Sequence, residues 1–539
     1  MQSPRPFGLF ELSIRNIRIC ESYNENSAKG AKIATIGTLI TLIIVFTIKA
    51  LVEKKDYVEN IPFFVAFGIL IIIVFKKLFY VKLRNLWKKY NVCNKHKSLK
   101  LLSKYSRWII NVLVLIASLI FCIVDTRKGD GERLKPLAAI VCLFLISVLL
   151  SKDRSKIPWA IVLSAFATQF ILGFITLRWN VGKSVLDYIG KRITDFLNFG
   201  NEGARAVFGD KMWDHWMVMQ AMPIGIYFSA FIALLNYWGI FPIVIKTLGS
   251  VIRLCLASST IESFVAGANI FVGPTESVVA ISHTLSKMTT SELHTILACG
   301  FATLSGGTMA MYISFGVSPV HMLTAAVMSA PAALLFSKIL RPEIENSVIQ
   351  DNDSIKFKKT GDVNFLAAIS RGAENFLKVM GYLVANLLAF TAVVHALNAF
   401  VRWFGIRVGV QITFQKIYSY IFYPLAFLIG VPAKDCLIVG EMIGQSILMN
   451  SFFSYKTLGD LIKNRLEGKD PQISIKAETV ATYAVCNFAN FGSIGMNLGS
   501  IGGFAPEKRP VLSKIAISAL LSGIMASLMT ASIAGKAKW

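Results

Sequence analysis

Glu276 is the residue with the most chemistry to explain. It lies inside the apolar stretch Ile261 to Ser286 (IESFVAGANIFVGPTESVVAISHTLS), and an ionisable group in such a segment costs at least ~2.5 kcal/mol unless it faces a partner, an ion or a ligand. The competing reading is an end-of-helix carboxylate that reaches headgroups. Asn269, Thr275, Thr303, Asn450, Asn490 and Ser493 are neutral hydrogen-bonding groups in similarly apolar surroundings. Amide and hydroxyl oxygens beside unwound carbonyls suit a hard monovalent cation, whereas amides and helix N-termini suit a polar organic solute. For any one of these residues alone, helix packing is an equal explanation. His96, His215, His283, His294, His321 and His395 do not cluster, and Ser451 and Ser493 have no His or Lys base at recognisable spacing. No GxxxxGK[ST], GxSxG or paired metal-ligand spacing occurs. Neither ATP hydrolysis, nucleophilic catalysis nor a resident cofactor is expected, so the chain does not read as an enzyme.

These polar groups sit where apolar segments break. Ile261 to Ser286 and Tyr418 to Tyr455 (ending GEMIGQSILMNSFFSY) are each apolar enough to enter a membrane and each interrupted in mid-stretch, as a re-entrant hairpin is. Each is followed by a helix with its own break, CGFATLSGGTM from Cys299 to Met309 and CNFANFGSIGM from Cys486 to Met496. Non-helical backbone at membrane depth is tolerated only when buried in protein or lining a cavity. Paired interruptions in corresponding halves therefore point to a midplane transport site, with chance likeness of glycine-rich helices as the bland alternative.

The rest of the chain supplies the scaffold. Of its 539 residues 54% are hydrophobic and 16% charged, against roughly 25% charged in soluble domains, which excludes an ordinary cytosolic enzyme. Apolar runs at 33–52, 61–75, 108–124, 136–151, 157–177, 217–238, 291–313, 320–339, 376–401, 479–503 and 511–534 give about eleven spans of bilayer length. The fold class expected is an all-α polytopic membrane protein with two re-entrant hairpins in inverted repeats. From Lys76 to Arg107 there are eleven Lys or Arg and no acidic residue, which places that loop and the N-terminus in the cytoplasm. The net charge of +25 is thus read as facing anionic lipid, with no nucleic acid as partner. Lys183 to Phe199 has the periodicity of a helix lying in the interface. The cysteines, with no CxxC among them, read as small core residues. The resulting division is 1–32 a cytoplasmic segment, 33–151 N-terminal helices with the basic loop, 152–258 scaffold helices, 259–340 a first transport half, 341–375 a cytoplasmic linker and 376–539 a second transport half.

ANIFVGPTES, MTTSELHTILACGFATLSGG, MYISFGV, VMSAPAALLFSKILRPEIE, MPIGIYFSAFIALLNYWGI, LIGVPAKDCLIVGEMIGQ and FANFGSIG resemble the concentrative nucleoside transporter family, in unbroken order over about 158–536. The extra N-terminal spans are similar to the animal type. The resemblance implies a plasma-membrane homotrimer whose protomers each carry a nucleoside inward with sodium, less often a proton, through an elevator-like transport domain. It implies sodium ligation by Asn269, the Val272 carbonyl, Thr303 and the Leu304 carbonyl. It assigns Thr275 and Glu276 to the nucleobase, Asn490 and Ser493 to the ribose and Phe488 to packing against the ligand, and it counts Asn450 and Ser451 with the nucleoside-binding residues.

Three positions depart from the family pattern. Pro274 stands where GQTE has glutamine, and Ser446 and Ser451 stand where G-x-K-x-x-x-NEFVAY has lysine and the ribose-binding glutamate. Losing a buried charge-assisted hydrogen bond costs about 1.5 to 3 kcal/mol, so altered selectivity is expected. The two serines read as matched losses, because removing one charge alone strands the other. A symporter of another polar solute, or a non-transporting receptor on the same fold, stays open.

Overall fold

In a computed structural model the described residues are 135–209, 222–256, 258–345, 361–409 and 413–535. The expected spans at 33–52, 61–75 and 108–124, the basic loop and the cytoplasmic N-terminus lie outside them. Among the described residues every regular element is a helix. The chain opens with α1 (Lys135–Leu149), α2 (Trp159–Leu177) and α3 (Asn180–Phe208). Helix α3 contains the expected interfacial segment. Lys183, Asp187, Lys191, Arg192 and Asp195 point outward and Leu197 is buried, but Val185 and Ile189 of the expected apolar face are exposed.

Two similar runs of elements follow. The first is α4 (Met222–Tyr237), α5 (Ile240–Leu256), a hairpin of α6 (Thr260–Ala268) and α7 (Pro274–Ile281), a broken helix of α8 (Thr290–Ala302) and α9 (Gly306–Ile313), and α10 (Pro319–Leu340). The second is α11 (Phe365–Val408), α12 (Phe414–Leu428), a hairpin of α13 (Cys436–Leu448) and α14 (Ser451–Glu467), a broken helix of α15 (Ile475–Ala484) and α16 (Phe491–Phe504), and α17 (Arg509–Gly535). In each run the helix before the hairpin packs on its first arm, α5 on α6 and α12 on α13, while α8, α10 and α15 gather around α17.

Five described helices are long and apolar enough to cross a membrane, or six if α4 and α5, bent by 88°, count as one span. The expected 479–503 span is the broken pair α15–α16. The stretch from Tyr418 to Tyr455 is not one hairpin: α12 is a separate helix, and the hairpin begins at Cys436. Helix α11 starts at Phe365, so the polar Arg341 to Asn364 stretch ends just before it.

The core is built where hydrophobic and small residues let helices approach. Most of α10 and the C-terminal half of α17 are buried. Cys299, Cys436 and Cys486 are buried as expected, but Cys142 and Cys255 are exposed. Both lie on the outer faces of their helices, where neighbours such as Val141 and Leu254 are exposed too, so a small apolar group gains nothing from pointing inward. The first run is also held by charge. Glu262 in the first turn of α6 closes a capping box with Ser259, and its carboxylate meets Lys338 Nζ of α10 at 2.5 Å with both side chains almost fully buried. Lys338 also donates to Ser291 Oγ of α8 at 3.0 Å.

Candidate functional site

The backbone breaks are stabilised by residues that supply the caps a helix end needs. Asn269 ends α6, and α7 begins with Gly273 as its N-cap and Pro274 as its first residue, a position where the missing N–H costs nothing. Thr303 leaves α8 in an extended conformation, φ −123° and ψ 155°, and the Ser305 hydroxyl caps α9 by accepting from Thr308 N–H. At the second hairpin the Asn450 side chain accepts from Phe452 N–H at 3.0 Å. Between α15 and α16, Asn487 donates from Nδ2 to the Ala484 carbonyl at 3.0 Å and accepts at Oδ1 from Ala489 N–H at 3.0 Å. It thereby satisfies both sides of the gap.

These four breaks meet. Gly306 N–H, at the start of α9, donates to the Phe271 carbonyl in the first hairpin tip at 3.0 Å. A Cβ at Gly306 would lie 2.7 Å from that oxygen, so only glycine allows the approach. Phe488 N–H donates to the Phe301 carbonyl near the end of α8 at 2.8 Å. Ser451 Oγ, at the second hairpin tip, donates to the Asn487 carbonyl at 2.6 Å and lies 2.8 Å from Ser446 Oγ. Since the single Ser451 proton goes to Asn487, Ser446 is the donor to Ser451. The two serines, read from sequence as matched losses, are in direct contact and nearly fully buried.

Side chains facing this junction leave polar atoms unsatisfied. Asn269 is fully buried with neither amide atom bonded, and the Nδ2 groups of Asn490 and Asn497 are also without partners. Such groups each cost about 1 to 3 kcal/mol, and a cluster of them calls for an explanation. Thr303 is fully buried and donates to the Cys299 carbonyl at 2.8 Å, leaving its oxygen free to accept. Leu304 is buried and Val272 half-buried. Thr275 and Glu276 follow Pro274 in the first turn of α7. Ser493 is occupied locally: its single hydroxyl proton is shared between the Phe488 and Asn490 carbonyls, while Asn490 Oδ1 accepts from Ser493 N–H at 2.8 Å. Phe488 is buried at the break.

This arrangement can be compared with known proteins. The chain matches "Na+ dependent nucleoside transporter N-terminus" over 138–211, "Nucleoside recognition" over 218–319 and "Na+ dependent nucleoside transporter C-terminus" over 321–535. It is 37% identical to "Solute carrier family 28 member 3" of mouse over 437 residues, covering 80% of this chain and 62% of that protein. It is 35% identical to "Sodium/nucleoside cotransporter 1" of rat over 442 residues, covering 80% and 68%. A solved structure of CNTnw in an inward-facing substrate-bound state superposes with a TM-score of 0.70 at 32% identity, covering 75% of this chain and 97% of that one. The chain belongs to the concentrative nucleoside transporter family. It spans 62% of the length of the mouse relative.

In this member of the nucleoside transporter family, sequence reasoning passed over Asn487 at the α15–α16 break, Gly300 in the last turn of α8 and Asn497 in the middle of α16. The signal for Asn487 was an Asn directly before an interruption, where its side chain competes for local backbone groups. Asn497 stands one helical turn after Ser493 on the same buried stripe of α16, which continues to Ile501. Gly300 is an isolated glycine in a helical pattern, and such a glycine often marks a close approach. A Cβ at Gly300 would lie 2.9 Å from Pro274 Cβ and 3.3 Å from Asn497 Oδ1.

Proposed function

We propose that this protein is a sodium-coupled nucleoside symporter of the plasma membrane, working by alternating access as a homotrimer with a cytoplasmic N-terminus. The observation that carries this reading is the meeting of four helix breaks around buried side-chain amides whose N–H groups have no partner. Asn269 Oδ1 and Thr303 Oγ1, with the carbonyls of Val272 and Leu304, would supply a neutral oxygen set of the kind that a hard monovalent cation accepts. Sodium bound there would neutralise the local excess of oxygen lone pairs and couple the hairpin tip to the α8–α9 break. Thr275, Glu276, Asn450, Asn490, Ser493 and Phe488 lie in or beside the same breaks and would hold the nucleoside. Ser451 and Ser446 are uncharged, and their hydroxyl protons are already given to Asn487 and to Ser451. Sugar selectivity is accordingly expected to be altered. In this reading, 259–340 and 376–539 are the transport halves and 152–258 is scaffold.

The test is accumulation of labelled uridine, adenosine and a deoxynucleoside in proteoliposomes with and without an inward sodium gradient. Sodium-driven accumulation of any of them is expected. No accumulation under either a sodium or a proton gradient, from folded protein, overturns it. The closed Ser446–Ser451 pair favours one second reading, a receptor that binds without translocating, and nucleoside binding without uptake would decide for it.

A further inference from the structure

We infer that Asn497 is a specificity-determining residue that donates from its side-chain amide to a hydrogen-bond acceptor on the nucleobase. The inference rests on the nucleoside reading above. Asn497 is 2% exposed and its Nδ2 has no hydrogen-bond partner. A buried amide that keeps two N–H donors without an acceptor is costly, and a ligand that brings the acceptor removes the cost. Asn497 belongs to the inward stripe of α16, where Asn490 and Ser493 precede it at helical spacing. Its Oδ1 and the Cβ of Pro274 at the first hairpin tip both lie within 3.3 Å of the point where Gly300 would carry a side chain. Helices α7 and α16 pack on each other here. Pro274 brings neither a backbone N–H nor a polar side chain to this point. The carboxamide available beside the tip therefore comes from the opposite helix, and glycine at 300 is what lets α8, the tip and α16 approach one another this closely.

The experiment is equilibrium binding of nucleosides to the purified full-length protein, alongside sodium-driven uptake. Adenosine would be compared with its 1-deaza, 3-deaza and 7-deaza analogues, each of which replaces one ring acceptor by C–H. Uridine would be compared with its 2-thio and 4-thio analogues, whose sulfur accepts weakly. One analogue is expected to bind wild type about tenfold more weakly than its parent. In Asn497→Leu the parent should weaken about tenfold and the gap between parent and analogue should close, with the sodium activation curve unchanged. Asn497→Asp keeps the shape and, assayed at a pH where its carboxyl is ionised, removes the donors, so it guards against a folding defect in the leucine variant and should lose the same factor. Wild-type affinities for every parent in a folded Asn497→Asp protein overturn this inference and leave the symporter reading intact. Wild type that binds none of the nucleosides overturns both.

Discussion

Ser446, Ser451 and Asn487 form a short relay in which each hydroxyl proton has one destination. The relay is neutral and complete, so a single substitution spoils it. Ser451→Glu would aim a buried carboxylate at the Asn487 carbonyl with no cation beside it. Initial uptake per molecule at the surface is expected to fall at least about tenfold. Adding Ser446→Lys should recover much of the loss; a double variant no better than Ser451→Glu would mean that the two positions act independently. For Asn269→Ala the half-saturating sodium concentration should rise about tenfold while the nucleoside KM at saturating sodium changes little, because the residue contributes an oxygen to the ion and not to the solute. An unchanged sodium curve removes Asn269 from the cation site. Most of these side chains were legible in the sequence as polar groups stranded in apolar stretches. Asn497 was not, because an Asn in a glycine-rich helix looks like ordinary helix packing until the lack of any partner for its Nδ2 is visible.

Helix ends decide how the interrupted elements hold together. Capping boxes at Ser259–Glu262 and Thr289–Glu292 start α6 and α8, and Lys338 joins both starts to α10 through Glu262 and Ser291. Lys338→Met would leave the Glu262 carboxylate buried and unpaired, which costs about 3 to 5 kcal/mol. The midpoint of thermal unfolding in detergent should drop markedly, and adding Glu262→Gln should restore part of it. A midpoint unmoved by Lys338→Met would show that the carboxylate finds another partner. The existence and order of the elements were readable because apolar length and interrupting polar residues are local signals. The start of the second hairpin was not, since apolar runs look alike whether they lead into a hairpin or form its arm. The turn at Gly430, with φ +102°, separates the two. Broken helices hid their extent for the opposite reason: side-chain hydropathy continues through a gap that only the backbone shows.

At the scale of the molecule, the outward faces are strongly apolar. Leu388, Phe400, Trp403 and Phe404 of α11 and Tyr420 and Ile421 of α12 are exposed, a surface that needs acyl chains or a neighbouring copy to cover it. Light scattering in mild detergent should report three copies of the 59.4 kDa chain; a single-copy mass with uptake retained would argue that trimerisation is dispensable. The bonds from Gly306 to Phe271 and from Phe488 to Phe301 have a further consequence for how the protein breathes. Both amides lie at or beside helix breaks, yet both are anchored on another element, so neither can open by local fraying. In deuterium they would be labelled only when the junction comes apart as a unit. They should exchange as slowly as the buried turns of α17, and much later than loops such as 150–158. Discontinuity of the helices would then coincide with one of the most slowly opening parts of the described chain, so that the proposed alternating access would move the junction without dissolving it.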